Sequence, residues 1–106
     1  MDTMSGHNAL AIMRDMRHRE NAWFEIHHLT YNRETKKSNG MRVVRRARLR
    51  PALPNEVFKE ANPELYLTYV DLDANKKNQN RICRRRLIRF VAFPPEFKLM
   101  KVIWLL

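Results

Sequence analysis

Five stretches of this sequence are rich in aromatic and β-branched residues, and polar turn signals or prolines separate them. Asn-Gly favours a tight hairpin turn, and proline cannot donate to a strand ladder, so each separator ends a strand. The pattern predicts a mainly β (α+β) fold of about five antiparallel strands, arranged as two basic hairpins plus a C-terminal strand. The stretches cover residues 23–31, 41–50, 65–72, 81–93 and 97–106. The fourth stretch is long enough that we expect a bulge or a bend in it.

The N-terminal part of the chain has a helical rather than a strand pattern. Its apolar residues are spaced to share one side of a helix, and they are Leu10, Ile12, Met13 and Met16. Asn8 precedes them and is a suitable N-cap, because its side-chain oxygen can accept a hydrogen bond from a free N–H of the first turn. A helix this short is marginal alone. We therefore expect a short N-terminal helix that packs on the sheet.

A chain of 106 residues is long enough for one domain but not comfortably for two. The tripeptide Leu29-Thr30-Tyr31 recurs 38 residues later as Leu67-Thr68-Tyr69, which favours two similar hairpins. Both a duplication and a chance likeness between basic hairpins remain open. The predicted layout is a flexible lead-in at 1–7, a helix at 8–19, hairpin one at 22–50, a short helix at 55–61, hairpin two at 65–93 and a closing strand at 97–106.

The charge balance is the strongest indication of a partner. Lys and Arg total 21 against 11 Asp and Glu, which gives a formal net charge of +10. Eleven carboxylates cannot neutralise 21 cations, so basic side chains remain available for an anionic partner. The single cysteine excludes an internal disulfide and a zinc site built on cysteine pairs. No signal-peptide or membrane-spanning pattern is present, and we expect an intracellular or virion location with no membrane contact.

Hairpin one carries the clearest functional pattern. A register with Phe24 opposite Leu49 and Ile26 opposite Ala47 places these residues and Val43 on a face that can pack on a core. The other face then pairs Trp23, Glu25, His27, Leu29 and Tyr31 with Arg50, Arg48, Arg46, Val44 and Arg42, in that order.

This register predicts specific contacts on the second face. Glu25 would form a cross-strand ion pair with Arg48, and Trp23 would form a cation–π contact with Arg50. Tyr31 would contact Arg42 in the same way. Arginines at alternate positions of a strand lie about 6.8 Å apart, so such a stripe can follow a phosphate backbone while nearby aromatic rings stack on unpaired bases.

Both hairpins have charged tips, and we expect them to project as basic arms. Three consecutive arginines in hairpin two put charge on both faces of one strand, which excludes that part from a core. Apolar residues from Leu87 to Val91 would form the base of that hairpin. The predicted contacts to nucleic acid or another polyanion are Arg42, Arg46, Arg48, Arg50, Lys36, Lys37, Arg84, Arg85, Arg86, Lys76, Lys77, Trp23 and Tyr31.

Catalytic and metal patterns are weak. His27 and His28 point to opposite faces of a strand, so they are poorly placed to bind one ion together. Asp71 and Asp73 could hold magnesium, but the same pattern is common where a strand enters a turn. Cys83 beside an arginine could be reactive, although a buried structural thiol is the commoner arrangement. We expect no enzyme activity, no cofactor and no metal.

Three functions fit this pattern. The first is a small structural subunit of a nucleic-acid-containing assembly, such as a phage connector, ring or capsid-associated protein. Its arms would contact DNA or neighbouring subunits in a homo- or hetero-oligomer. The second is an accessory nucleic-acid-binding protein that acts through an Arg/aromatic sheet face. The third is an interaction module that binds an acidic protein surface, and competition by nucleic acid would separate it from the second.

Overall fold

A computed structural model of the chain describes residues 1–19, 21–30, 40–50 and 66–104. In this part of the chain there are one α-helix, two 3₁₀ turns and seven strands. The helix is α1 (Gly6–Met16), and the 3₁₀ turns are Lys76–Asn78 and Arg85–Leu87. The strands are β1 (Thr3–Ser5), β2 (Phe24–Leu29), β3 (Met41–Leu49), β4 (Tyr66–Asp71), β5 (Asn80–Arg84), β6 (Ile88–Phe93) and β7 (Lys98–Ile103).

The seven strands of the described residues form one sheet in the order β1-β7-β6-β2-β3-β4-β5. All neighbours are antiparallel except β1 and β7, which are parallel. The prediction of a mainly β fold with one short N-terminal helix is confirmed. The prediction of about five strands is wrong, because the lead-in forms an additional strand and the long fourth stretch forms two.

The N-terminal segment is part of the sheet rather than a flexible lead-in. Strand β1 pairs with β7, and the backbone N–H of Lys101 donates to the carbonyl of Asp2 at 3.0 Å. The ammonium of Lys98 also pairs with the Asp2 carboxylate. Pairing with β1 satisfies backbone groups along one side of β7, which is a physical reason for a polar terminus to be ordered.

Helix α1 begins two residues before the predicted start. Its N-cap is Ser5, whose Oγ accepts a hydrogen bond from the backbone N–H of Asn8 at 3.1 Å. Asn8 was predicted to be the cap but lies in the first turn and donates instead. The side that packs on the sheet consists of Gly6, Ala9, Leu10, Met13 and Met16. These positions recur every three or four residues, as expected for a surface helix with one buried side.

The predicted bend in the fourth stretch is confirmed at the 3₁₀ turn Arg85–Leu87. Before the turn, β5 pairs with β4 as the return strand of hairpin two. After the turn, β6 lies between β2 and β7. The prediction that residues 87–91 form the base of hairpin two is therefore wrong. Residues 88–91 belong to β6, which lies in the centre of the sheet.

The sheet has two different faces. The helix face packs against α1, and its core includes Phe24, Ile26, Val44, Tyr69 and Val91. The C-terminal stretch was predicted as a closing strand over 97–106, and the structure has a strand over Lys98–Ile103 that lies between β1 and β6 and contributes Val102 to the same core. We call the opposite side the open face. It carries the residues of each strand that alternate with the core positions.

Several predictions concern residues outside the described ranges. They include the tip of hairpin one with Tyr31, Lys36 and Lys37, and the short helix predicted at 55–61. Within the described ranges, α1 is too short to cross a membrane, and no membrane-spanning helix is found.

Candidate nucleic-acid interface on the open face

A bulge determines which arginines of β3 share a face. Phe24 lies opposite Ala47 and Ile26 opposite Val44, so β3 has an extra residue at this point. The predicted register placed Phe24 opposite Leu49, and it is therefore wrong. The bulge moves Arg42 to the helix face, opposite His28. A single arginine stripe over residues 42–50 does not form.

Arg46 and Arg48 lie on the open face. The Arg46 guanidinium carbon is 4.9 Å from the ring centroid of Trp23, a cation–π contact. Arg48 is paired in register with Val70, whose side chain is on the same face. Trp23 was predicted to contact Arg50, and the structure replaces that partner with Arg46. A cation–π contact of Trp23 with an arginine of β3 or its end was therefore correctly predicted, but the arginine is Arg46 and not Arg50.

A second aromatic ring lies beside Trp23. The Phe97 ring stacks with it at a centroid distance of 6.3 Å and an interplanar angle of 27°. Phe97 has a positive φ of 51° in the turn between β6 and β7, and it is exposed. This turn brings Phe97 back over the start of β2. Phe97 and Arg46 are exposed and Trp23 is half-buried, and together they form one aromatic and cationic cluster, which we call the Trp23 cluster.

The centre of the open face holds an acid and a histidine. Nε2 of His27 lies 2.6 Å from a carboxylate oxygen of Glu25, and both side chains are mostly buried. The His27 ring also meets Phe90 edge to face, at a centroid distance of 5.8 Å. Glu25 was predicted to pair with Arg48, and it pairs with His27 instead. Among the strand positions that the structure describes, Glu25 is the only carboxylate on the open face.

In-chain neutralisation of the arginines is incomplete. Arg46 pairs with Asp73 at 3.2 Å, and both side chains are about half exposed. Arg48 donates to the backbone carbonyl of Arg19 at 3.2 Å, which leaves its charge uncompensated by a carboxylate. Within the described residues, neither Arg45 nor Arg50 forms an ion pair with a carboxylate. An exposed pair such as Arg46–Asp73 contributes only about 0–1 kcal/mol, so an incoming phosphate can compete for Arg46.

The basic residues of hairpin two are divided among three environments. Lys76 and Lys77 are exposed in the 3₁₀ turn at the hairpin tip. Arg84 lies on the open face at the sheet edge, opposite Tyr66. Arg85 turns inward, and its Nε–H donates to the carbonyl of Tyr66 at 2.8 Å, whereas Arg86 is exposed. These residues therefore do not continue the Trp23 cluster as one stripe.

The minor chemical candidates have structural roles in the described residues. Cys83 is buried against Leu67, and burial raises the pKa of its thiol to about 12, which keeps it protonated. The Asp71 carboxylate accepts the backbone N–H of Asp73 at 3.0 Å and so shapes the turn after β4. No group of three or more acidic, histidine or cysteine residues in the described ranges can hold a metal ion.

Sequence reasoning missed Phe90 and Phe97 as members of this face. Phe90 reaches it because β6 inserts next to β2, and no local pattern indicates that pairing. Phe97 reaches it through the turn that follows two prolines, a feature that predicts a break but not a direction. Of the predicted residues in the described ranges, Trp23 and Arg46 are in contact, and Arg48 lies on the same face without a cation–π contact to Trp23. No family model, curated protein or solved structure matches this chain.

Proposed function

We propose that this protein is a non-enzymatic nucleic-acid-binding module that holds single strands on the open face of its sheet. The observation that carries the proposal is the Trp23 cluster, where an arginine and two aromatic rings lie on a face that α1 does not cover. Stacking needs an exposed ring, and backbone contact needs a nearby cation. Within one patch, the cluster supplies the exposed ring of Phe97 beside the half-buried ring of Trp23, together with the exposed cation Arg46.

The composition of the face favours unpaired bases over a duplex. Bases in a duplex are stacked on each other, whereas a single strand offers free ring faces to side chains such as Trp23 and Phe97. Arg46 and Arg48 would contact the phosphates that flank such bases, since guanidinium groups match phosphate oxygens in geometry. The net charge of +10 adds a long-range attraction for any polyanion.

The test is binding of a short fluorescent oligothymidine, measured by anisotropy over a range of salt concentrations. We expect the double variant Arg46→Gln/Arg48→Gln to bind more weakly. Its log–log salt slope should be smaller by about 1.4, because each lost phosphate contact on a single strand removes about 0.7. The matched control is Arg14→Gln/Arg17→Gln, which removes the same charge from two exposed positions, one in the last turn of α1 and one at its C-cap. Equal losses in the two variants would refute a site on the open face.

A second variant separates stacking from charge. Trp23→Leu should weaken the binding of single strands by about 1–3 kcal/mol and leave the salt slope unchanged. The same oligonucleotide as a duplex should show a smaller effect of Trp23→Leu. If duplex and single strand lose equal affinity, the aromatic rings do not contact bases.

A second candidate function is a subunit of a nucleic-acid-containing assembly, such as a phage connector, ring or capsid-associated protein. It is favoured by apolar side chains exposed near the ends of the sheet, Ile82 on β5 and Ile103 on β7. Both side chains alternate with core positions and so lie on the open face, where a neighbouring subunit would contact them.

The assembly is tested by the size and the 260/280 absorbance ratio of natively purified protein, before and after nuclease treatment. We expect a large particle that survives nuclease if protein contacts hold it together. A nuclease-sensitive particle would mean that nucleic acid joins independent modules. A monomer at high concentration, free of nucleic acid, would exclude the assembly but not the binding module.

A further inference from the structure

The helix face of the sheet holds a polar cluster that the proposed function does not use. It lies in the half of the sheet formed by β2, β3, β4 and β5, and it consists of His28, Tyr69, Arg42, Arg81 and Cys83. His28 and Tyr69 are buried, and the atoms His28 Nε2 and Tyr69 Oη lie 2.7 Å apart. Arg42 is opposite His28 in register, and Arg81 is opposite Tyr69. Both arginines therefore reach the same part of the helix face from different strands.

The hydrogen bonds of His28 determine its tautomer. Nδ1 lies 3.1 Å from the carbonyl oxygen of Leu29, which can only accept, so Nδ1 carries a proton. In the neutral ring Nε2 is then the acceptor, and the Tyr69 hydroxyl donates to it. Both partners are thus neutral and fully engaged with each other. They supply no counter-charge to the two arginines.

Arg42 and Arg81 lack an anionic partner. Neither forms an ion pair with a carboxylate in the described residues. The Nε of Arg81 is buried and has no hydrogen-bond acceptor there. Asp71, the acidic residue of β4 on this face, caps the turn at Asp73 instead. A buried guanidinium N–H without an acceptor is rare in folded proteins, because the group loses water without replacing it.

The environment of His28 agrees with an excess of positive charge. Its pKa is lowered below the ordinary value of 6.5, chiefly by burial and further by Arg42 and Arg81. The hydrogen bond to Leu29 acts in the opposite direction. The pKa of the Tyr69 hydroxyl is raised chiefly by burial and also by Cys83 and Asp71, whereas Arg42 and Arg81 lower it, so both arginines lie within electrostatic reach of Tyr69 as well as of His28.

We propose that Arg42 and Arg81 form a binding site for a phosphate group on the helix face of the sheet. Two guanidinium forks match a phosphate in both charge and geometry, whereas a single carboxylate would balance only one of them. A phosphate oxygen would also accept the unsatisfied Nε–H of Arg81. The site lies on the opposite face from the Trp23 cluster, so it does not depend on the proposed function.

The test follows the imidazole signals of His28 by NMR while inorganic phosphate is added at constant ionic strength. An anion between the two arginines offsets their charge, so the pKa of His28 should rise and saturate as phosphate is added. Acetate and chloride at the same ionic strength should leave it unchanged. A response that is equal for all three anions, or that never saturates, would overturn the proposal.

Variants assign the response to the two arginines. Arg81→Gln and Arg42→Gln should each weaken phosphate binding by about tenfold, since each removes charge-assisted hydrogen bonds. Arg86→Gln, an exposed arginine, is the control and should bind phosphate as the natural chain does. Unchanged binding in both Arg42→Gln and Arg81→Gln would refute the site. Should either variant not fold, the anion titration of the natural chain decides alone.

A short oligonucleotide in place of inorganic phosphate identifies the source of the group. Saturable changes at His28 with inorganic phosphate indicate a free anion. Changes with the oligonucleotide alone indicate a backbone phosphate on this face, and they should persist in Arg46→Gln/Arg48→Gln. If neither ligand affects His28, the proposal fails while the open-face function stands or falls on its own experiment.

Discussion

At the residue scale, position relative to the bulge decides what each arginine of β3 does. Arg42 and Arg46 are four apart in the sequence and would share a face in a regular strand. The extra residue in β3 places Arg42 against His28 on the helix face and Arg46 against Trp23 on the open face. Because both are arginines, Arg42 and Arg46 were predicted from the sequence to contact the same polyanion. The bulge gives them two different environments.

His28 makes the stability of the fold depend on pH. Its pKa is lower in the folded chain than the ordinary value of 6.5, so the unfolded state binds more protons just below that pH. Stability is therefore fully present above pH 6.5 and falls as the pH decreases below it. We expect a loss of up to about 1.4 kcal/mol per pH unit, measured by urea denaturation between about pH 7.5 and 5.5.

His28→Gln removes the titrating group and keeps an amide oxygen that can accept from Tyr69. This variant should show a flatter dependence of stability on pH in the same range. The control is His18→Gln, at an exposed position, which should keep the dependence of the natural chain. An unchanged slope in His28→Gln would show that another group causes it.

At the element scale, α1 is held at its start by Trp104, the residue that follows β7. The Trp104 ring lies where a Cβ on Gly6 would be, and its Nε1–H donates to the carbonyl of Ile88 at 2.9 Å. Gly6 is therefore required by close approach. Helix propensity alone predicts the opposite, since alanine is favoured over glycine by roughly 0.5–1 kcal/mol in a helix interior, which is an upper bound for Gly6 at the first position of α1.

Gly6→Ala should destabilise the chain by about 1–3 kcal/mol, because overlap with the Trp104 ring outweighs the gain in helix propensity. Thermal or urea denaturation measures the change. His7→Ala, at the next and exposed position, should have little effect. In a double-mutant cycle, Trp104→Leu should remove most of the cost of Gly6→Ala. A stabilising Gly6→Ala would show that the ring can move aside.

Two strands, β1 and β6, were not predicted as separate strands from the hairpin pattern of the sequence, and both failures have the same cause. Strand β1 and strand β6 pair with segments far away in the sequence, β1 with β7 and β6 with β2. Turn signals between neighbouring segments indicate hairpins but contain no information on distant pairing. The hairpins β2–β3 and β4–β5 were predicted for that reason.

At the scale of the whole molecule, excess positive charge opposes compaction. A net charge of +10 on 106 residues means that like charges repel across a small surface. Four ion pairs lie in the described residues, and those of Arg19, Arg46 and Lys98 are exposed. Screening by added salt should therefore weaken the repulsion among the excess positive charges more than it weakens the attraction within the ion pairs.

We expect the melting temperature to rise by a few degrees, about 2–5 °C, when sodium chloride increases from about 0.01 to 0.5 M. Calorimetry or circular dichroism measures the shift. The variant Arg14→Gln/Arg17→Gln carries two fewer charges and should show a smaller rise. A melting temperature that falls with salt would mean that ion pairs outweigh repulsion.

The chemical character of the chain could be predicted from its residues: a mainly β module with a short N-terminal helix and an excess of cations. Those properties depend on residue type and local spacing, both of which are present in the sequence itself. Three features come instead from the way distant segments pack: the lead-in joins the sheet, Phe97 stacks with Trp23, and Arg42 lies on the helix face. Each of these depends on long-range pairing or on one inserted residue, and strand alternation converts such small shifts into a change of face.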